Sequence, residues 1–77
     1  MMFRIDEKVA IVDVNKVKGD PFLEDNAKNI LEANNYEGYV TKNFDQDGEP
    51  LTAVTFYTNE NRLTQVFKQD EIKKVGE

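Results

Sequence analysis

Apolar and polar residues alternate along much of the chain, in short runs separated by polar turns. The runs lie at residues 7–14, 36–44, 51–58, 63–68 and 72–75. A period of two is typical of β-strands that bury one face. The pattern therefore predicts a mainly β protein of five strands, with a 3₁₀ turn at residues 69–71 before the last strand.

A helical spacing appears between the first two predicted strands. Asp20 and Pro21 form a helix-start signal, because an aspartate can cap free backbone N–H groups and proline is tolerated at the first helical position. Apolar residues then fall at positions 23, 27, 30 and 31, and the Asn34-Asn35 pair is typical of a helix end. We predict one helix, residues 21–34, which plugs one end of the sheet.

The same alternation assigns a face to each apolar residue of the strands after Gly38. The predicted inside consists of Val40, Val54, Phe56, Val66, Ile72 and Val75. The predicted outside is an aromatic cluster of Tyr39, Tyr57 and Phe67. An exposed cluster of this kind would be a partner surface. Alternatively, the predicted helix covers it and forms a second small core.

The order of the predicted elements resembles that of SH3-like small β-barrels, including the KOW-type barrels. The resemblance is carried by Val9 and Ile11, Gly38-Tyr-Val40, Val54-Thr-Phe56, Val66 and Ile72-Lys-Lys-Val75. It implies a single five-stranded SH3-like barrel domain, residues 1–77, with the helix inserted in the first long loop. The chain lacks the paired tryptophans and the Ala-Leu-Tyr-Asp-Tyr run of signalling SH3 domains, so proline-rich peptide binding is not expected.

Composition limits the chemistry of this 77-residue chain. It contains no cysteine and no histidine, which excludes disulfides, thiol chemistry and zinc sites of the Cys/His type. No apolar run reaches the roughly 20 residues that a membrane span needs, and the first residues do not have the pattern of a signal peptide. We therefore expect a cytoplasmic protein without membrane association.

One acidic stretch resembles half of a calcium-binding loop. Oxygen-bearing side chains at Asn43, Asp45 and Asp47 precede Gly48, but the position of the bidentate glutamate is Val54. The stretch is therefore interpreted as a hairpin turn rather than a metal site. Since the sequence also lacks a phosphate-binding loop and a catalytic triad, we expect neither a cofactor nor enzymatic activity.

The net charge of −5 is concentrated in the middle of the chain. Residues 19–60 carry nine acidic and two basic side chains, whereas both ends are slightly basic. This distribution disfavours general nucleic-acid binding. It leaves open a local basic site formed by Arg62, Lys68, Lys73 and Lys74.

Three functional hypotheses follow from these features. The first is a non-catalytic interaction or adaptor module that binds a protein partner, or a second copy of itself, through the aromatic face or a sheet edge. The second is a small barrel that binds RNA or single-stranded nucleic acid, with aromatic stacking beside the basic residues. The third is a structural or inhibitory accessory protein of a phage or mobile element, suggested by the small size and the Asn- and Lys-rich composition.

Overall fold

The computed structural model describes residues 3–75, which form a mainly β structure with short helices. The elements in chain order are β1 (Lys8–Ile11), α1 (Val14–Lys18), α2 (Asp25–Ala33), β2 (Glu37–Gln46), β3 (Glu49–Tyr57), β4 (Arg62–Lys68), a 3₁₀ turn (Gln69–Glu71) and β5 (Ile72–Lys74). The five strands make one antiparallel sheet in the order β4-β3-β2-β1-β5. The five predicted strands and the 3₁₀ turn are confirmed, but the first strand is shorter than the predicted 7–14, because Asp13 caps α1 and ends the strand region.

The sheet is open, so the predicted closure into a barrel is wrong. Closure would require β4 and β5 to pair, but within residues 3–75 they are the two edges of the sheet. β5 has only three residues, and their partners are on β1, as in the Ile11–Ile72 pair. The 3₁₀ turn connects β4 to β5 across the open side of the sheet, and there the Val12 N–H donates to the Glu71 carbonyl at 2.9 Å.

The acidic stretch after β2 is a two-residue hairpin turn. Asp47 and Gly48 have φ angles of 52° and 84°, the left-handed values that the type I′ turn requires at both central positions. This tight turn lets β2 run to Gln46 and lets β3 start at Glu49. Both strands are therefore longer than predicted.

The region between β1 and β2 contains two helices rather than the one predicted helix. Asp13 caps α1 by accepting the Lys16 N–H at 3.2 Å. The Asp20 carboxylate instead accepts the N–H of Phe22 at 2.9 Å. The hydrogen bond from the Phe22 N–H to the Asp20 side chain forms a local turn instead of a helix cap. The helix α2 therefore begins only at Asp25.

One face of the sheet and α2 enclose the core. Ile30 and Leu31 of α2 pack against buried side chains of the sheet, namely Val9, Ile11, Val40, Val54, Phe56, Phe67 and Ile72. Inward positions are thus confirmed for Val40, Val54, Phe56 and Ile72. Val75 is exposed, so its predicted inward position is wrong: it lies past the end of β5.

The face assignment of β4 is reversed with respect to the prediction. Phe67 is buried, with 9% of its surface exposed, whereas Val66 is 50% exposed. The reason is the register with β3, which pairs Phe67 with the inward-facing Thr52 and Val66 with Ala53 on the opposite face. The predicted cluster of three outward aromatic residues is therefore wrong for Phe67.

Candidate binding face of the sheet

The face of the sheet opposite α2, called the open face below, carries the two tyrosines predicted to lie outside. Tyr39 is 43% and Tyr57 is 51% exposed. Their ring centroids are 6.5 Å apart, with the planes tilted by 52°. The alternative in which the helix covers them is wrong, because α2 packs on the other face.

Phe67 takes no part in this tyrosine pair. Its ring packs edge-on against the ring of Phe56 in the core, at a centroid distance of 6.4 Å and an interplanar angle of 76°. The structure thus brings together two of the three predicted partner-binding residues. The third contributes to packing beneath the sheet.

A row of threonines occupies the centre of the open face. The hydroxyls of Thr55 and Thr64 lie 2.9 Å apart across β3 and β4. On the other side, Thr41 donates to the Ala53 carbonyl at 3.3 Å, beside an irregularity in the β2–β3 register. Neighbouring side chains shield Thr55 almost completely from solvent. The strands that carry the two tyrosines are therefore linked by shielded threonine hydrogen bonds.

Basic side chains surround this centre. The cross-strand register places five basic residues on the open face, each opposite a residue of that face on the neighbouring strand. The pairs are Lys8 with Tyr39, Lys42 with Ala53, Arg62 with Tyr57, Lys68 with Leu51, and Lys73 with Ala10. Its strand acids are Glu37, 3.4 Å from the Lys8 ammonium, and Glu49 at the end of β3. The open face is therefore positively charged, although the whole chain has a net charge of −5.

The predicted basic group is only partly assembled. Arg62, Lys68 and Lys73 lie on the open face, whereas Lys74 pairs with the inward-facing Val9 and its ammonium is 3.8 Å from Glu7. Lys42 belongs to the face but was missed. Simple alternation from Val40 would point it inward, and only the register shift between these two residues turns it outward.

Phe22 is a second residue that the sequence did not single out. It lies on the α1–α2 connection, and 94% of its surface is exposed. Its N–H is held by Asp20, as described above. The Asp-Pro-Phe order is the signal that could have placed Phe22 at a turn rather than in a helix.

A cleft separates β4 from α1. It consists of two adjoining cavities, about 280 and 140 Å³, which share Lys16, Val17, Phe67 and Glu71 as lining residues. Lys16 donates to Glu71 at 2.8 Å across the cleft, and this contact is the main reason that the pKa of Lys16 is raised. Partial burial raises the pKa of Glu71, but hydrogen bonds from Lys16 and the Lys68 N–H outweigh it, so that pKa is lowered.

The described residues give no sign of a metal site or a membrane span. Within residues 3–75, no cluster of three or more Asp, Glu, His or Cys side chains is placed to hold a metal ion. Asn43, the first residue of the calcium-like stretch, uses its side-chain oxygen to accept from Thr52 at 2.7 Å. None of the helices in this range has the length and apolar character needed to cross a membrane.

Comparison of the chain with protein-family models, with curated proteins and with solved structures finds no match. The surfaces described above are therefore the basis for inferring a function. Two of them differ from an ordinary solvated surface. They are the open face, with its exposed tyrosines and basic side chains, and the cleft beside β4.

Proposed function

We propose that this protein is a non-catalytic interaction module that binds a protein partner through the open face. The observation that carries the proposal is the pair of half-exposed tyrosines, Tyr39 and Tyr57, on a sheet face that no described element covers. Tyrosine is enriched among residues that dominate binding energy, because it buries a large area at a small entropic cost.

The surroundings of the tyrosines favour a partner surface with acidic groups. Val66 adds exposed apolar area, and the ring of Lys8, Lys42, Arg62, Lys68 and Lys73 adds positive charge. An apolar centre with a charged rim is the usual anatomy of a protein interface. The rim sets which partners are accepted and how fast they associate, more than the affinity itself.

A second candidate function is binding of single-stranded nucleic acid, and the same positive charge favours it. Arg62 lies directly across from Tyr57, and the Lys8 ammonium is 5.9 Å from the Tyr39 ring centroid. Bases stack on exposed aromatic rings while cations bind the phosphates. The rest of the chain is acidic, which opposes this function and places it second.

Affinity capture with matched baits tests the first function. Wild type and a control, Glu32→Ala on the exposed side of α2, should retain the same protein, and Tyr39→Ala/Tyr57→Ala should lose it. Light scattering after size exclusion shows whether the partner is a second copy. Equal retention by all three baits, or a monomer that retains nothing, contradicts the proposal.

Titration with fluorescent oligouridine and oligothymidine tests the second function. A nucleic-acid site should weaken steeply as salt rises, because binding releases counterions. An interface that rests on the tyrosines should lose little affinity over the same range. Binding of the oligonucleotide that disappears in Arg62→Ala and Tyr57→Ala would place the nucleic-acid function first.

Two further hypotheses stay predictions. The order of strands and the 3₁₀ turn before β5 support the resemblance to SH3-like folds, and the open sheet departs from it. A role as a phage or mobile-element accessory protein rests on size and composition alone.

A further inference from the structure

β4 is an edge strand whose outer side has no backbone partner within residues 3–75. β3 pairs with it from Arg62 to Lys68, and the backbone bonds outside the strands involve none of these seven residues. An edge of this kind can accept another strand.

Lys68 identifies the outward set. Its N–H donates to the Glu71 carboxylate at 2.7 Å rather than to β3. Because backbone groups of an antiparallel strand alternate in direction, the outward positions are Lys68, Val66, Thr64 and Arg62. The N–H groups of Arg62, Thr64 and Val66 are therefore free along this edge, and one carboxylate already occupies the position at its end.

The cleft lies where the inner side chains of an added strand would fall. A strand beside β4 would run about 4.8 Å from it, and its side chains would alternate between the open face and the cleft. The cleft side offers apolar contacts with Val17, Leu23, Leu31 and Phe67. The open-face side offers Arg62 and Lys68 near the two ends of β4.

We propose that β4 binds an extended peptide segment by strand addition, and that the segment alternates apolar residues with acidic ones. The apolar side chains enter the cleft, and the acidic ones lie beside Arg62 and Lys68. The backbone of the segment bonds the free N–H and C=O groups of Thr64 and Val66. This site shares Arg62 and Lys68 with the rim of the open face, but it uses the backbone edge of β4 and the cleft, so it goes beyond the function proposed above.

A second copy of the chain fits this edge less well than such a peptide. The antiparallel register that pairs all seven residues of two β4 strands places Arg62 opposite Lys68 at both ends. Like charges directly opposite each other destabilise a strand pair. The same two cations attract a segment that brings carboxylates to these positions.

The experiment measures binding of synthetic peptides as long as β4, which has seven residues. The probe alternates valine and glutamate, and the control has the same composition with the glutamates grouped at one end. The probe should bind with a Kd at least about tenfold lower than the control. N-methylation of alternate residues on the bonding side should abolish binding. Equal binding of the two peptides, or no binding of the probe, overturns the proposal.

Val66→Pro tests the edge from the protein's side. Proline at this outward position removes a free N–H and breaks no bond to β3. Edge strands tolerate proline at positions of this kind. Val66→Ala is the matched control, because it loses side-chain area and keeps the N–H. The proline variant should bind the probe about tenfold more weakly than the alanine variant. Equal affinities would contradict strand addition.

Amide hydrogen exchange gives a readout that needs no variant. Saturating probe should slow exchange at Thr64 and Val66 at least about tenfold, whereas Leu63 and Gln65 already bond to β3. Glu32→Ala should leave probe affinity within about twofold, since Glu32 is exposed on α2 and lines neither β4 nor the cleft. Loss of probe binding in Glu32→Ala, or unchanged exchange at Thr64 and Val66, would show that the probe does not add to this edge.

Discussion

Gly38 on β2 lies in direct contact with the ring of Phe56 on β3. A Cβ atom at position 38 would stand 2.8 Å from two carbons of that ring and 2.8 Å from the carbonyl oxygen of Thr55. Such distances are well inside normal contact, and neither the buried ring nor the backbone carbonyl can easily move. Position 38 therefore has no room for a side chain, because the ring of Phe56 and the carbonyl of Thr55 both pack against the glycine.

We expect Gly38→Ala to lower the free energy of unfolding by about 1–3 kcal/mol, the usual cost of overpacking a core. Gly19→Ala is the matched control, because its nearest contact to an added Cβ is 3.4 Å and its φ is −91°. It should change stability by less than about 1 kcal/mol. Urea denaturation measures both variants, and equal stability of the two would contradict the steric explanation.

A pair of substitutions on β4 checks the reversed face assignment. Phe67→Ala should cost about 3–5 kcal/mol, because it opens a cavity beside Phe56. Val66→Ala should cost less than about 1 kcal/mol, since Val66 is half exposed. Thermal or urea denaturation followed by circular dichroism gives the comparison. A larger loss for Val66→Ala than for Phe67→Ala would restore the face assignment made from the sequence.

The reversal on β4 shows what alternation alone can decide. The alternation in residues 63–68 allows either face of the strand to be the buried one, because Leu63 and Phe67 fall on one face and Val66 falls on the other. The β3 strand has no such ambiguity at Val54 and Phe56, and there the prediction is correct. On β4 the choice is made by pairing with β3 across the turn at residues 58–61.

The candidate site was predictable to the extent that it depends on regular strands. Tyr39 and Tyr57 flank inward-facing residues and were placed correctly on the open face. Lys42 depends on a register shift, and the exposure of Phe22 depends on whether Asp20 caps a helix or makes a turn. Such local choices between similar hydrogen bonds are not visible in a pattern of apolar and polar residues.

A buried polar chain at one end of the sheet supports another stability prediction. The hydroxyl of Thr52, which is fully buried, donates to Asn43 at 2.7 Å and accepts from the Gln69 amide at 2.7 Å. Asn43 in turn donates to the carbonyl of Phe3. The side-chain oxygen of Gln69 is buried without a partner among the described residues.

Thr52→Val should therefore cost about 1–3 kcal/mol, although the two side chains have nearly the same shape. The reason is that the amide of Gln69 and the oxygen of Asn43 would both lose a partner inside the protein. Urea denaturation measures the loss. Unchanged stability would mean that these groups find water in the variant, and that the chain of bonds adds nothing to the fold.

The Lys16–Glu71 ion pair predicts how stability changes with pH. Because the pKa of Glu71 is lowered on folding, its contribution is present above the ordinary value of 4.5 and is lost as the pH falls through the lowered value. The pKa of Lys16 is raised, so its contribution is lost only as the pH rises above 10.5, through the raised value. Between these limits the pair is fully charged.

Glu71→Gln removes the charge and keeps one side-chain oxygen, which can accept from Lys16 or from the Lys68 N–H but not from both. At neutral pH we expect this variant to be slightly less stable than wild type, because an ion pair with an exposed lysine contributes little to stability. The difference should shrink as the pH falls below 4.5, because Glu71 then takes up a proton in the wild type. Urea denaturation from about pH 2 to about pH 8 measures both proteins across this window. A stability difference that stays constant over that range would show that the charge of Glu71 does not stabilise the fold.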